Sequence, residues 1–170
     1  METIFTRRSI REYESKKVEP EKIDKMLRAA MQAPSAGNQQ PWEFIVVEDQ
    51  ERLLKLSEVG PYAGMLAKAP LGIIVLGNLD NLRFPVYWEQ DLGAATQNLL
   101  LQAADDGLGA VWIGVAPLKE RENLITEMVG LPEHVRPFCM IAIGYPDEGQ
   151  KNYFNDRFDK DRIYYETYQR

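Results

Sequence analysis

Four short, almost unbroken apolar runs, at residues 42–48, 71–76, 110–115 and 137–143, constrain the fold of this chain more than any other feature. Each is rich in β-branched or aromatic residues and too short for a typical helix, so each reads as a strand. Strands apolar at successive positions need cover on both faces, and the segments between them have helical periodicity. The class expected is therefore α/β or α+β, a sheet covered by helices. No internal repeat, low-complexity tract or linker interrupts it.

The helical segments have recognisable starts and stops. Residues 19–32 place Ile23, Met26, Leu27, Ala30 and Met31 on one face, with Pro20 in the first turn and Glu19 and Glu21 at the positive end of the dipole. Asp49 is placed to cap a helix carrying Leu53, Leu54 and Leu56, closed by Gly60, and a short helical piece at 62–69 stops before Pro70. The longest pattern runs over 87–106, with Leu92, Ala95, Leu99 and Ala103 on one stripe, Gly93 and Ala94 small enough for close approach, and Gly107 at its stop. A last helix is expected over 118–129. Residues 34–41 are loop by composition.

Composition narrows the function. With 170 residues, 45% apolar and 27% charged, the chain has the make-up of one folded domain, residues 1–170, large enough for a core without metal or disulfide. No apolar run approaches the roughly 20 residues of a bilayer span, and the first residues do not read as a secretory leader. A net charge of −6 is the wrong sign for holding nucleic acid. The single cysteine, Cys139, lies in an apolar run, and a reducing, cytoplasmic setting fits it. One cysteine and one histidine cannot readily build a zinc cluster or a hydrolytic triad, and no metal site is expected. His134 reads as an exposed turn residue. Tyr87, Glu89 and Asp91 open the long helix, where acids favour its dipole; a substrate contact by one of them is the functional alternative.

Three segments carry chemistry. Arg7, Arg8, Ser9 and Arg11 gather three of the eleven arginines in five positions of an acidic chain, a pattern that suits a phosphate or an ordinary solvated cluster. The loop Pro34-Ser-Ala-Gly-Asn-Gln-Gln-Pro41 concentrates polar side chains that either close a turn or bond a heteroaromatic ring. Gly114, ending an apolar strand, either turns the chain or lets a ligand approach the backbone. In addition, residues 151–170 hold 6 of the 17 aromatics without either regular period. Such a tail needs a surface, either its own domain or, as preferred here, a partner subunit.

Together, Arg-Arg-Ser-x-Arg from Arg7, Pro-Ser-x-x-Asn-x-Gln-Pro-Trp from Pro34, and the small-residue helix leading through Gly107-Leu-Gly109 to Trp112-Ile-Gly114 resemble the nitroreductase family of flavin enzymes. The likeness spans nearly the whole chain. It implies an α+β, three-layer fold with a central mixed sheet flanked by helices, a homodimer with two FMN molecules at its interface, and a C-terminal arm, 151–170, over the partner subunit. Carried over residue by residue, it makes Arg7, Arg8 and Ser9 phosphate and ribityl contacts and sets Arg11 at the pyrimidine edge, where a cation stabilises the anionic reduced flavin. Pro34, Ser35 and Ala36 would pack at the ring from the other subunit, with Asn38 and Gln40 holding the loop and bonding the cofactor. Ile113 and Gly114 would line the ring near N5, and Arg157 would return to the phosphate.

The implied activity is an FMN-dependent NAD(P)H oxidoreductase passing hydride through flavin N5 to a small electron-poor acceptor such as a nitroaromatic or quinone, with no catalytic side chain. The chain is shorter than the larger nitroreductases and carries no evident insertion over the substrate, which would leave the outer face of the ring open. The alternative that the same residues allow is an FMN-binding store, sensor or scaffold without efficient turnover. A third reading, merely solvated arginines, needs no cofactor.

Overall fold

The computed structural model describes residues 2–168. Its elements are α1 (Thr3–Thr6), α2 (Pro20–Ala30), β1 (Trp42–Val47), α3 (Gln50–Leu56), β2 (Leu71–Asn78), α4 (Trp88–Asp105), β3 (Gly109–Gly114), α5 (Lys119–Val129) and β4 (Val135–Gly144). Short helical turns lie at Ala36–Asn38, Gly64–Lys68, Pro85–Tyr87 and Lys160–Arg162. The Asp49 carboxylate accepts the Arg52 N–H at 2.9 Å and so caps α3, a contact worth about 1 kcal/mol.

The strands form one sheet in the order β1-β2-β4-β3, antiparallel at every pairing. The mixed character expected of the sheet is confined to a single parallel bridge, Ser9 with Ala110, outside the named strands. Helices cover both faces. Leu71, Ile73, Val75, Cys139, Ile141 and Ile143 pack beneath α2 and α4, while Ile74, Leu76, Val111, Ile113, Met140 and Ala142 pack against α3 and α5. Alternate residues of one strand thus enter opposite cores, which is why the runs are apolar throughout. The pattern records cover on two faces, not strand direction.

β3 is an edge strand, and its start is paired with the chain that follows α1. Ile10 N–H donates to the Ala110 carbonyl at 3.2 Å, and the Ile10 side chain is buried against Gly109, where a Cβ would stand 2.6 Å from it. That close approach requires glycine at 109 and seats residues 7–11 along the sheet edge. After β4 the chain returns to the same edge: Tyr153 N–H donates to the Thr6 carbonyl at 2.9 Å. Beyond it the tail is largely irregular and exposed, with Phe154, Phe158, Ile163, Tyr165 and Tyr168 uncovered. Among the described residues no helix is long and apolar enough to cross a membrane.

Candidate functional site

The buried Ile10 divides the N-terminal segment into an anchor and a charged lip. Arg7, Arg8, Ser9 and Arg11 line a cavity of about 550 Å³ together with Lys151 and Arg157. The tail is tied to this lip by Asn152, whose Oδ1 accepts the Arg8 N–H at 2.8 Å and whose Nδ2 donates to the Leu108 carbonyl at 3.4 Å. Arg8 also lies over the Tyr153 ring, 4.6 Å from its centroid. Four residues expected at the phosphate, Arg7, Arg8, Ser9 and Arg157, from opposite ends of the chain, therefore share one concavity with Arg11, expected at the pyrimidine edge.

The cavity is electrostatically uncompensated. Among the described residues, Arg7, Arg8, Arg11, Lys151 and Arg157 form no ion pair. Partial burial, then the positive charges of Arg8 and Arg157, hold the Arg7 guanidinium below its ordinary pKa. Like charges gathered with no ion-paired carboxylate among the described residues cost free energy, and a bound anion would offset that cost. An FMN phosphate fits this donor set, since planar guanidinium forks and a hydroxyl are its natural partners.

Gly114 lies farther along the same edge. Since the Ala110 carbonyl accepts from Ile10 on the open side, two-residue alternation turns the peptides of Trp112 and Gly114 outward as well. The Gly114 carbonyl accordingly accepts from Arg121 Nη1 at 2.9 Å. Ile113 differs from the sequence expectation. Its side chain is buried with Val111 and Met140, and its peptide faces β4, so it supports the edge from behind.

The loop of residues 34–41 is held at the start of α4, away from the arginine cavity, and none of Pro34, Ser35, Ala36, Asn38 and Gln40 lines that cavity. Its lock is Asp91, buried to 4% exposure, whose carboxylate accepts Ala36 N–H at 2.9 Å and Gln39 Nε2 at 2.7 Å. Gln39 also donates to the Phe84 carbonyl at 3.1 Å and accepts the Phe84 N–H at 3.0 Å. Gln40 N–H donates to Ser35 Oγ at 3.0 Å, and its side chain donates to Asn38 Oδ1 at 3.2 Å. Asn38 and Gln40 adopt positive φ, 56° and 49°, an uncommon backbone that this network holds in place.

Gln150, Lys151 and Tyr153 were not singled out for the site by sequence, and the part that Gln39 and Asp91 play in locking the loop was not expected. A buried acid in the first turn of a helix reads as a dipole partner, and a lysine in a charged tail carries no signal of its own. Glu89 and His134 take no part in either half of the site.

A protein-family model, the Nitroreductase family, matches residues 4–59 and 52–145 of the chain. A Methanothermobacter thermautotrophicus protein named "Putative NADH dehydrogenase/NAD(P)H nitroreductase" is 48% identical over 168 residues, covering 99% of this chain and 87% of that protein. The solved structure of a "Putative NADH Oxidase" from Clostridium acetobutylicum is 54% identical, with a TM-score of 0.95 over 98% of this chain and 99% of that one. An FMN-dependent nitroreductase from Clostridium difficile is 34% identical, with a TM-score of 0.90 over 98% of each chain.

Proposed function

The chain belongs to the nitroreductase family, and from that premise we propose that it is an FMN-dependent NAD(P)H oxidoreductase that reduces small electron-poor acceptors and works as a homodimer. The observation that carries the proposal is the unpaired cationic cavity of residues 7–11 with Lys151 and Arg157 at the edge of β3. When bound, FMN supplies the hydride chemistry at its ring, which is why no catalytic side chain is demanded.

The chain's own residues hold and orient. Arg7, Arg8 and Arg157, joined by Lys151, balance the phosphate charge, and the Ser9 hydroxyl serves the same anion. Arg11, exposed and donating to the Ser9 carbonyl at 3.4 Å, would oppose negative charge at the pyrimidine edge. The Gly114 peptide, turned to the open edge, would line the flavin ring. With chemistry confined to the cofactor, rate depends on how closely donor and acceptor are stacked against it.

The second half of each site comes from a second copy. Thr3, just before the arginines, donates to Asp105 at one end of α4, while the loop of residues 34–41 is bonded to Asp91 near the other, about 21 Å away at roughly 1.5 Å per residue. One protomer keeps its loop and its arginine cavity apart, and a partner brings its own loop, Pro34, Ser35 and Ala36 foremost, to the ring. The uncovered aromatics of the tail are the surface such a partner accepts.

Comparing FMN with riboflavin tests the assignment, because only FMN carries the phosphate. Fluorescence titration is expected to give FMN the tighter binding by at least about 100-fold, the worth of two charge-assisted bonds. Equal affinity for the two flavins would overturn the cavity's role.

A further inference from the structure

The tail that returns to the arginines builds a second concavity beside them. Ile4 and Phe5 of α1 meet Phe154 and Phe158 around a cavity of about 360 Å³. Arg7, Arg8 and Arg157 line this cavity as well as the polar one of residues 7–11. Phe5, Phe154 and Phe158 are 62%, 61% and 69% exposed, so their rings are open to a flat ligand. Ile163, Tyr165 and Tyr168 do not line the cavity and remain as surface for a partner subunit.

Charge narrows the ligand. Arg7, Arg8, Arg11, Lys151 and Arg157 line the polar cavity, and among the described residues none of them forms an ion pair. A phosphate monoester such as that of FMN carries only about −1.5 to −2 at pH 7. Even with Asp156 counted, positive charge is left over where three of the arginines reach the aromatic cavity. Each guanidinium has five N–H donors, more than one phosphate uses, so a second anionic group can be held there. The polar residues of the cavity suit a nucleoside. Asn155 offers an amide, which matches the donor and acceptor edge of adenine. Asp156, whose Oδ1 accepts the Phe158 N–H at 3.0 Å, offers a carboxylate to ribose hydroxyls.

We propose that this cavity is a subsite for an adenosine phosphate, with the base against Phe5, Phe154 and Phe158 and the phosphate on Arg7, Arg8 and Arg157. The inference rests on the reading of the neighbouring cavity as the seat of the FMN phosphate. Stacking on aromatic rings and cationic capture of the phosphate are the two demands, and neither a plain apolar ligand nor a free anion meets both. An adenosine phosphate is the far half of a nicotinamide dinucleotide and also the half that a flavin dinucleotide carries beyond FMN. The two sources present the same base and charge, and experiment separates them.

The test is calorimetric titration of the FMN-saturated protein with AMP, adenosine and ribose 5-phosphate. AMP is expected to bind at least about ten-fold more tightly than either fragment, because adenosine lacks the charge-assisted bonds and ribose 5-phosphate lacks the stacked base. Phe5→Ala and, separately, Phe158→Ala should weaken AMP by about ten-fold and leave ribose 5-phosphate unchanged. If the occupant is a nicotinamide dinucleotide, Phe5→Ala raises the KM for NADH and not that for reduced nicotinamide mononucleotide; if it is a flavin dinucleotide, the same variant weakens FAD and not FMN. AMP no tighter than its fragments, or AMP binding that both phenylalanine variants leave intact, would overturn the proposal, as would a Phe5→Ala chain unchanged toward both NADH and FAD. A dimeric, FMN-loaded protein that binds no AMP also overturns it and points to a second copy covering the cavity. FMN uptake is measured first. A chain that takes up no FMN fails the flavoenzyme reading, and the effect of the two phenylalanine variants on AMP still decides the subsite.

Discussion

The loop of residues 34–41 and the arginine lip of residues 7–11 are opposites in how their polar groups are satisfied. The loop of residues 34–41 is complete within one protomer: Asp91 and Gln39 bond its backbone and side chains, and Asn38 and Gln40 hold left-handed backbone on that support. The arginine lip has the reverse character, with several cations and no ion pair among the described residues. On the proposed function, the loop is finished before any ligand arrives, and the lip is finished by the ligand. Substitutions in the first should register mainly as stability, and in the second mainly as affinity.

The largest effect expected is that of Asp91→Ala. It strands the Ala36 N–H and the Gln39 amide and removes two bonds to a buried carboxylate, a loss of about 3 kcal/mol or more. Urea unfolding of the ligand-free protein measures it. A loss below about 1 kcal/mol would mean that the loop does not depend on Asp91.

Arg7→Ala is the converse. It relieves repulsion with Arg8 and Arg157, so the stability of the ligand-free protein should stay within about 0.5 kcal/mol or rise slightly. FMN affinity should fall by about ten- to a hundred-fold with the loss of a charge-assisted phosphate contact. Paired unfolding and FMN titrations on this variant test both halves of the contrast. Unfolding loss as large as that of Asp91→Ala, with FMN affinity intact, would erase the distinction.

A smaller effect belongs to a satisfied cluster outside both halves. The Tyr145 hydroxyl donates to the Glu19 carboxylate at 2.6 Å and, with backbone bonding and the charges of Lys16 and Lys22, draws the Glu19 pKa from 4.5 down to about 2. A depressed carboxylate pKa contributes stability that is present above the unfolded value and is lost as pH falls through the folded one. Glu19→Gln should therefore be less stable than the unaltered chain at pH 7, with the difference shrinking between pH 4.5 and 2. Urea midpoints across that range check it, and a difference independent of pH would remove Glu19 ionisation as its cause.

Much of the fold was legible because both faces of each strand are buried. The runs at 42–48, 71–76, 110–115 and 137–143 fall on β1 to β4 within two residues at each end, and the long apolar stripe falls on α4. The antiparallel pairing was not legible, since a sheet covered on both faces gives continuous apolar strands in either direction. α1, with 4 residues, is too short for a period to show.

In the site, Arg7, Arg8, Ser9, Arg11 and Arg157 were legible through motif and charge and lie at one cavity. Lys151 was hidden in a charged tail, and Asp91 and Gln39 owe their importance to contacts across some fifty positions of sequence. Ile113 and Gly114 border the same crevice, but alternation along the strand turns the Ile113 peptide to β4 and the Gly114 peptide to the open edge, a distinction that a motif does not carry.

The most direct test of the account is the visible absorption spectrum of the purified, FMN-loaded protein without oxygen, before and after addition of NADH or NADPH. The account predicts flavin bands that bleach on addition of one or both nicotinamides. Flavin bands that persist would contradict it and leave a protein that holds FMN without using it.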